Sequence, residues 1–123
     1  MKLKSLIILL LLILLCGCGK KQIECIYKNE KDENMKSYMR VTLVYEDELI
    51  KSEKLYAVYQ FKDEESASKN YSTIEKILEQ DSSVKLEQLD ERIVAQGEKD
   101  ITSMQYDKKT KVAYYEQLGY TCK

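Results

Sequence analysis

The sequence contains no histidine, no tryptophan and no proline. Without histidine, Ser-His-Asp and Cys-His catalysis are excluded as such, and so are histidine-ligated zinc sites. Without proline there is no Pro-rich stalk or linker. Glycine is scarce: Gly17 and Gly19 sit near the start, and only Gly97 and Gly119 follow. That leaves no Gly-rich phosphate loop. One phenylalanine stands against ten tyrosines. This bias suits half-buried sheet positions, where the ring packs and the hydroxyl stays wet. A Tyr-lined binding surface is the sharper alternative.

What is present begins with Met1 to Cys18, MKLKSLIILLLLILLCGC. Lys2 and Lys4 form a short positive segment, and Leu6 to Leu15 is an unbroken apolar run. That run has signal-peptide length; crossing a bilayer takes roughly 20 apolar residues. It meets Leu15-Cys16-Gly17-Cys18, which resembles the bacterial lipobox: an aliphatic residue, a variable residue, a small residue, then cysteine. Cys18 has the small Gly17 before it and Leu15 three positions ahead, whereas Cys16 follows the bulky Leu15. The resemblance therefore implies lipidation at Cys18, through a diacylglyceryl thioether, with residues 1–17 removed as a signal peptide. Cys16 leaves with that peptide. Residues 18–22 are the lipidated anchor and a short tether, and 23–123 are expected to form one extracytoplasmic domain. A single acyl chain anchors only marginally, but two on one cysteine hold stably. Lys20 and Lys21 either add about 1 kcal/mol each by attraction to anionic lipid or form a solvated tether.

Without residues 1–17, 106 of the 123 residues remain, which fits one domain. That remainder carries 18 basic against 21 acidic side chains, a balance of −3. A mildly acidic chain is a poor partner for nucleic acid. Cys25 and Cys122 are the cysteines left, and an extracytoplasmic location permits their oxidation. They are predicted to form a disulfide closing nearly the whole domain; the alternative is two buried free thiols. No Cys-x-x-Cys is present, so a redox role is not expected.

Gln22 to Tyr27 reads as a first strand, and Lys28 to Lys36 as a charged loop. Glu30, Asp32 and Glu33 lack the alternating ligands and mid-loop glycine of an EF-hand calcium loop. Ser37 to Tyr45 alternates, with Met39, Val41, Leu43 and Tyr45 on one face and Tyr38, Arg40, Thr42 and Val44 on the other. Glu46-Asp47-Glu48 turns the chain. Leu49 to Phe61 returns with Leu55, Ala57, Tyr59 and Phe61 inward and Tyr56 and Val58 outward. Asp63 is placed to cap a helix, followed by Glu64 and Glu65, which suit its N-terminal dipole. Ala67, Tyr71, Ile74, Ile77 and Leu78 form its apolar stripe, and the helix fades at Gln80-Asp81. Ser83 to Leu89 and Arg92 to about Glu98 read as two further strands around an Asp90-Glu91 turn. Gly97 marks either a bulge or the end of regular pairing. Ile101 to Tyr106 fits either a strand extension or a loop. Asp107 or Thr110 caps a last helix, with Val112, Tyr115 and Leu118 buried and Gly119 past its end. The expected fold is α+β, order β-β-β-α-β-β-α: an antiparallel sheet with two helices packed on one face.

The lipobox, Cys25, the hairpin around Val41–Glu46 and the ending Leu118-Gly119-Tyr120-Thr121-Cys122-Lys123 together resemble the small YehR-like lipoproteins of low-GC Gram-positive bacteria. The resemblance implies an α+β fold, a lipid anchor and a cell-surface location, and it brings no catalytic residues. Two function classes follow. One is a non-catalytic binding or interaction module at the outer face of the cell membrane, expected to be monomeric. Its partner is an envelope protein or small ligand, and its candidate contacts are Tyr38, Tyr56, Tyr71 and Tyr115. The other is a structural or envelope-stress lipoprotein acting through a membrane protein without a small ligand. Catalysis is not expected. The carboxylate pairs Glu64/Glu65 and Asp90/Glu91 fall at a helix start and a turn, outside any sheltered cleft that could separate their pKa values. No catalytic residues, metal or cofactor are assigned.

Overall fold

The computed structural model describes residues 21–78 and 83–123. The signal segment, Cys16, Cys18, the start of the tether and the helix end at Gln80-Asp81 lie outside the described residues. The elements are β1 (Lys21–Asn29), β2 (Met35–Glu46), β3 (Leu49–Phe61), α1 (Glu64–Leu78), β4 (Val84–Leu89), β5 (Arg92–Asp100), a 3-10 turn at Thr102–Met104, α2 (Lys108–Gln117) and β6 (Thr121–Cys122). The chain is α+β in the expected order, with β6 added at the end. Six strands form one antiparallel sheet in the order β4-β5-β3-β2-β1-β6.

Strand alternation sorts side chains between the two faces. One face carries Cys25, Val41, Leu43, Ala57, Phe61, Ile93 and Ala95, all buried. Both helices pack there. Tyr115 of α2 packs there with Cys25, Val41, Leu43, Ile50 and Ile101. Ala67 and Ile74 of α1 pack on Phe61 and Ile93, with Tyr59, Tyr71 and Leu86 against them. On the opposite phase Val44 is buried too, beside an irregularity in the β2–β3 ladder. There Val44 faces Ser52 while Tyr45 faces Ile50, so Lys51 is an extra residue. The bulge turns Ile50 onto the helix-bearing face, where it is fully buried.

Local signals explain the turns and helix ends. The β2–β3 and β4–β5 hairpins each turn through an aspartate with positive φ, Asp47 at 57° and Asp90 at 56°. Asp tolerates that region better than most residues. Asp63 accepts the Ser66 N–H at 2.7 Å and Asp107 accepts the Thr110 N–H at 3.2 Å, so Asp107, not Thr110, caps α2. Gly119 sits just past α2 at φ 97°, a conformation glycine adopts without strain. Asn29 and Asp32 accept N–H groups two residues on, making Asx turns in the loop after β1.

Three expectations are corrected. Ile77 is 66% exposed. Ala67, Tyr71, Ile74 and Leu78 follow helical spacing closely, whereas Ile77 falls about 80° off that line at 100° per residue. Leu118 is 53% exposed, because α2 ends at Gln117 and Leu118 is its C-cap. Gly97 neither bulges nor ends a strand: it pairs with both Leu55 and Val84, and β5 continues to Asp100. A Cβ there would stand 2.7 Å from the Ser83 carbonyl oxygen, so close backbone approach is what requires glycine.

Cys25 and Cys122 are bridged, with Cα atoms 4.0 Å apart. They face each other in the β1–β6 ladder. Reciprocal Glu24–Lys123 backbone hydrogen bonds of 2.9 Å flank them. Among the described residues no helix is long and apolar enough to cross a membrane.

Candidate binding face

The face opposite the helices is assembled from the alternate residues of five long strands. Cross-strand register places Ile26, Arg40, Tyr56, Gln96 and Lys85 in one row across β1, β2, β3, β5 and β4. The row on one side holds Lys28, Tyr38, Val58, Val94 and Glu87; the row on the other holds Glu24, Thr42, Lys54 and Glu98. Neighbouring strands lie about 4.8 Å apart and successive rows about 6.8 Å. No helix among the described residues covers these rows.

Two of the expected contact residues meet here. The Tyr38 and Tyr56 rings are 6.4 Å apart, edge to face. The Lys28 ammonium lies 5.8 Å from the Tyr38 ring centre, and the Arg40 guanidinium 5.1 Å from that of Tyr56. Such contacts orient a cation without neutralising it. Arg40, Thr42, Lys54, Tyr56, Lys85, Gln96 and Glu98 line a concavity of about 390 Å³. Among the described residues no carboxylate comes within 4 Å of the Arg40, Lys54 or Lys85 charge.

The other two tyrosines lie on the opposite side of the sheet. Tyr71 donates to the Leu86 carbonyl at 3.3 Å, tying α1 to β4. Tyr115 is 8% exposed and donates to Glu53. Glu53 also faces the Lys111 ammonium at 3.7 Å, with both side chains mostly buried. Tyr120 stacks edge-on with Tyr115 at 5.1 Å and donates to the Met39 sulfur at 3.4 Å. A groove of about 150 Å³ lies here between α2 and the sheet, with Glu53, Tyr115 and Tyr120 on its wall. Burial, then the nearby Tyr27, Tyr114 and Glu53, raises the Tyr120 hydroxyl above its ordinary pKa. Burial, then Tyr120, raises that of Tyr59. These hydroxyls are held neutral, as packing groups.

The carboxylate pairs stay apart from both regions. Glu64 and Glu65 occupy the first turn of α1, and Asp90-Glu91 is the β4–β5 turn. Asp63 is held below the usual carboxylate range by its hydrogen bonds to the Ser66 backbone and side chain. Among the described residues no three His, Cys, Asp or Glu side chains converge on a metal position.

Arg40, Lys54, Lys85 and Gln96 escape a reading of single strands, because each looks like an ordinary outward polar residue. Only register brings them together. Glu53 did leave a signal: it occupies the inward phase of β3, shared with Leu55 and Ala57. Set against family models, curated proteins and solved structures, the chain matches none.

Proposed function

We propose that the protein is a lipid-anchored, non-catalytic binding module at the outer face of the cell membrane, and that its helix-free sheet face is the binding surface. The observation that carries the reading is segregation. Both helices occupy one face, and the other presents Tyr38, Tyr56 and, around a concavity, cations with no carboxylate partner among the described residues. A sheet face needed only for solubility has no reason to gather aromatic rings beside a hollow of ligand size.

The lipobox-like start supports the anchor. Gly19 and Lys20 alone separate Cys18 from Lys21, the first residue of β1. At about 3.6 Å per residue, a lipid on Cys18 holds that end of the sheet within roughly 11 Å of the headgroups. Ile26, in the row with Arg40 and Tyr56, is five residues further along β1. That is about 17 Å from the anchored end, clear of the lipid.

Native mass spectrometry of the full-length protein released from its own membrane tests the reading. The wild type should carry a bound species that is lost in the Tyr38→Ala/Tyr56→Ala variant. A bare protein in both refutes a resident ligand on this face. Acyl labelling tests the anchor separately: it should vanish in Cys18→Ala and persist in Cys16→Ala.

A further inference from the structure

We infer that the concavity at Arg40, Lys54 and Lys85 is a site for a small multivalent anion, a phosphate or a polycarboxylate. The inference rests on the binding reading above and names its ligand class. Arg40 and Lys54 are diagonal neighbours on β2 and β3, since Arg40 faces Tyr56 and Thr42 faces Lys54. Diagonal Cα atoms lie about 7–8 Å apart, within joint reach of two long side chains. Lys85 approaches from β4 along the Arg40 row, three strands away. All three side chains line the same hollow.

Charge complementarity selects the ligand. Among the described residues that line it, three cations stand against one carboxylate, Glu98. Lys54 and Glu98 are direct cross-strand partners, yet no ion pair within 4 Å joins them. Among the described residues, then, no carboxylate takes up these cations. Three lysines elsewhere do face carboxylates: Lys111 faces Glu53, Lys108 Glu48 and Lys69 Glu65. Arg40 is also pre-ordered. Its guanidinium rests at the Tyr56 ring, so little side-chain freedom is lost when it forks onto a phosphate or carboxylate. A volume of about 390 Å³ suits a small molecule. A single monovalent anion would leave most of the charge unanswered.

The test titrates isotope-labelled full-length protein in detergent with pyrophosphate and with citrate, each at constant ionic strength. Glucose is the neutral control, and amide resonances are followed. Saturable shifts should centre on Arg40, Lys54, Tyr56 and Gln96 for at least one anion; whichever binds identifies phosphate or carboxylate as the group read. Arg40→Ala/Lys54→Ala should weaken that binding about tenfold or more, equivalent to about 1.4 kcal/mol. Lys69→Ala, on the exposed side of α1, should leave it unchanged. No saturable shift with either anion, equal shifts with glucose, or no loss in the double variant each overturns the inference. If the membrane-derived protein carries a neutral species lost in Tyr38→Ala/Tyr56→Ala while both anions fail, the binding reading stands and the anion class falls. If an anion binds specifically while that protein is bare, the anion site stands and the resident-ligand reading falls.

Discussion

Thr42 and Leu43 are neighbours on β2 and meet different surroundings. Leu43 is fully buried beneath α2, against Cys25, Ile50 and Ile101. Thr42 lies on the helix-free face and lines the hollow there. The covered face is apolar, and polar groups on it are tied into pairs, Glu53 with Tyr115 and Lys111, and Tyr71 with Leu86 among them. The open face carries cations that no carboxylate neutralises within the described residues. Folding free energy is concentrated where side chains leave water, so the covered face sustains the fold. The open face can then vary its chemistry at little cost to stability.

Removing the bridge between the ends of the domain is the strongest challenge to that division. Cys25→Ala/Cys122→Ala should destabilise the fold by about 2–5 kcal/mol, since the bridge spans 97 residues of sequence. Denaturant melts would register it, and an unchanged midpoint would move the source of stability elsewhere. Next comes Leu43→Ala, expected to cost about 2–5 kcal/mol because it opens a cavity beneath α2. Thr42→Ala, one residue away, should stay within about 0.5 kcal/mol. Equal effects at 42 and 43 would erase the contrast between the faces.

An alkaline titration sharpens the comparison without mutation. The Tyr59 and Tyr120 hydroxyls have folded-state pKa values above their ordinary 10.0. For an acid that is neutral when protonated, a raised pKa means that folding favours the protonated form. The contribution is fully present below pH 10 and is lost as pH rises through the folded values. Melting temperature should therefore drop above pH 10, and Tyr59→Phe should blunt the drop. The smallest stability effect is expected for Arg40→Ala, within about 0.5 kcal/mol, despite its expected loss of anion binding. A larger loss would make Arg40 a structural residue.

Much of this was legible in the strands themselves. The β2 and β3 alternation assigned Val41, Leu43, Ala57 and Phe61 to one face, and all four are buried. Asp63 and Asp107 announce helix starts through cap chemistry that acts within three residues. Tyr38 and Tyr56 are together on the outward face, as their phases imply. Tyr71 and Tyr115 could not be separated from them by sequence, because a ring in an apolar stripe looks the same whether it lines a site or fills a core. Ile77 illustrates a related limit: an apolar residue near the edge of a helical stripe is buried only if the neighbouring element reaches it.

Local periodicity and capping determined the number, type and phase of the elements, because the forces behind them act over a few residues. Strand order, the insertion of β5 between β4 and β3, and the bulge at Lys51 were decided by packing between segments distant in sequence. So was the need for Gly97, which depends on how closely Ser83 approaches. The cluster of Arg40, Lys54 and Lys85 has the same origin: alternation places each outward, but only the register of four strands makes them neighbours.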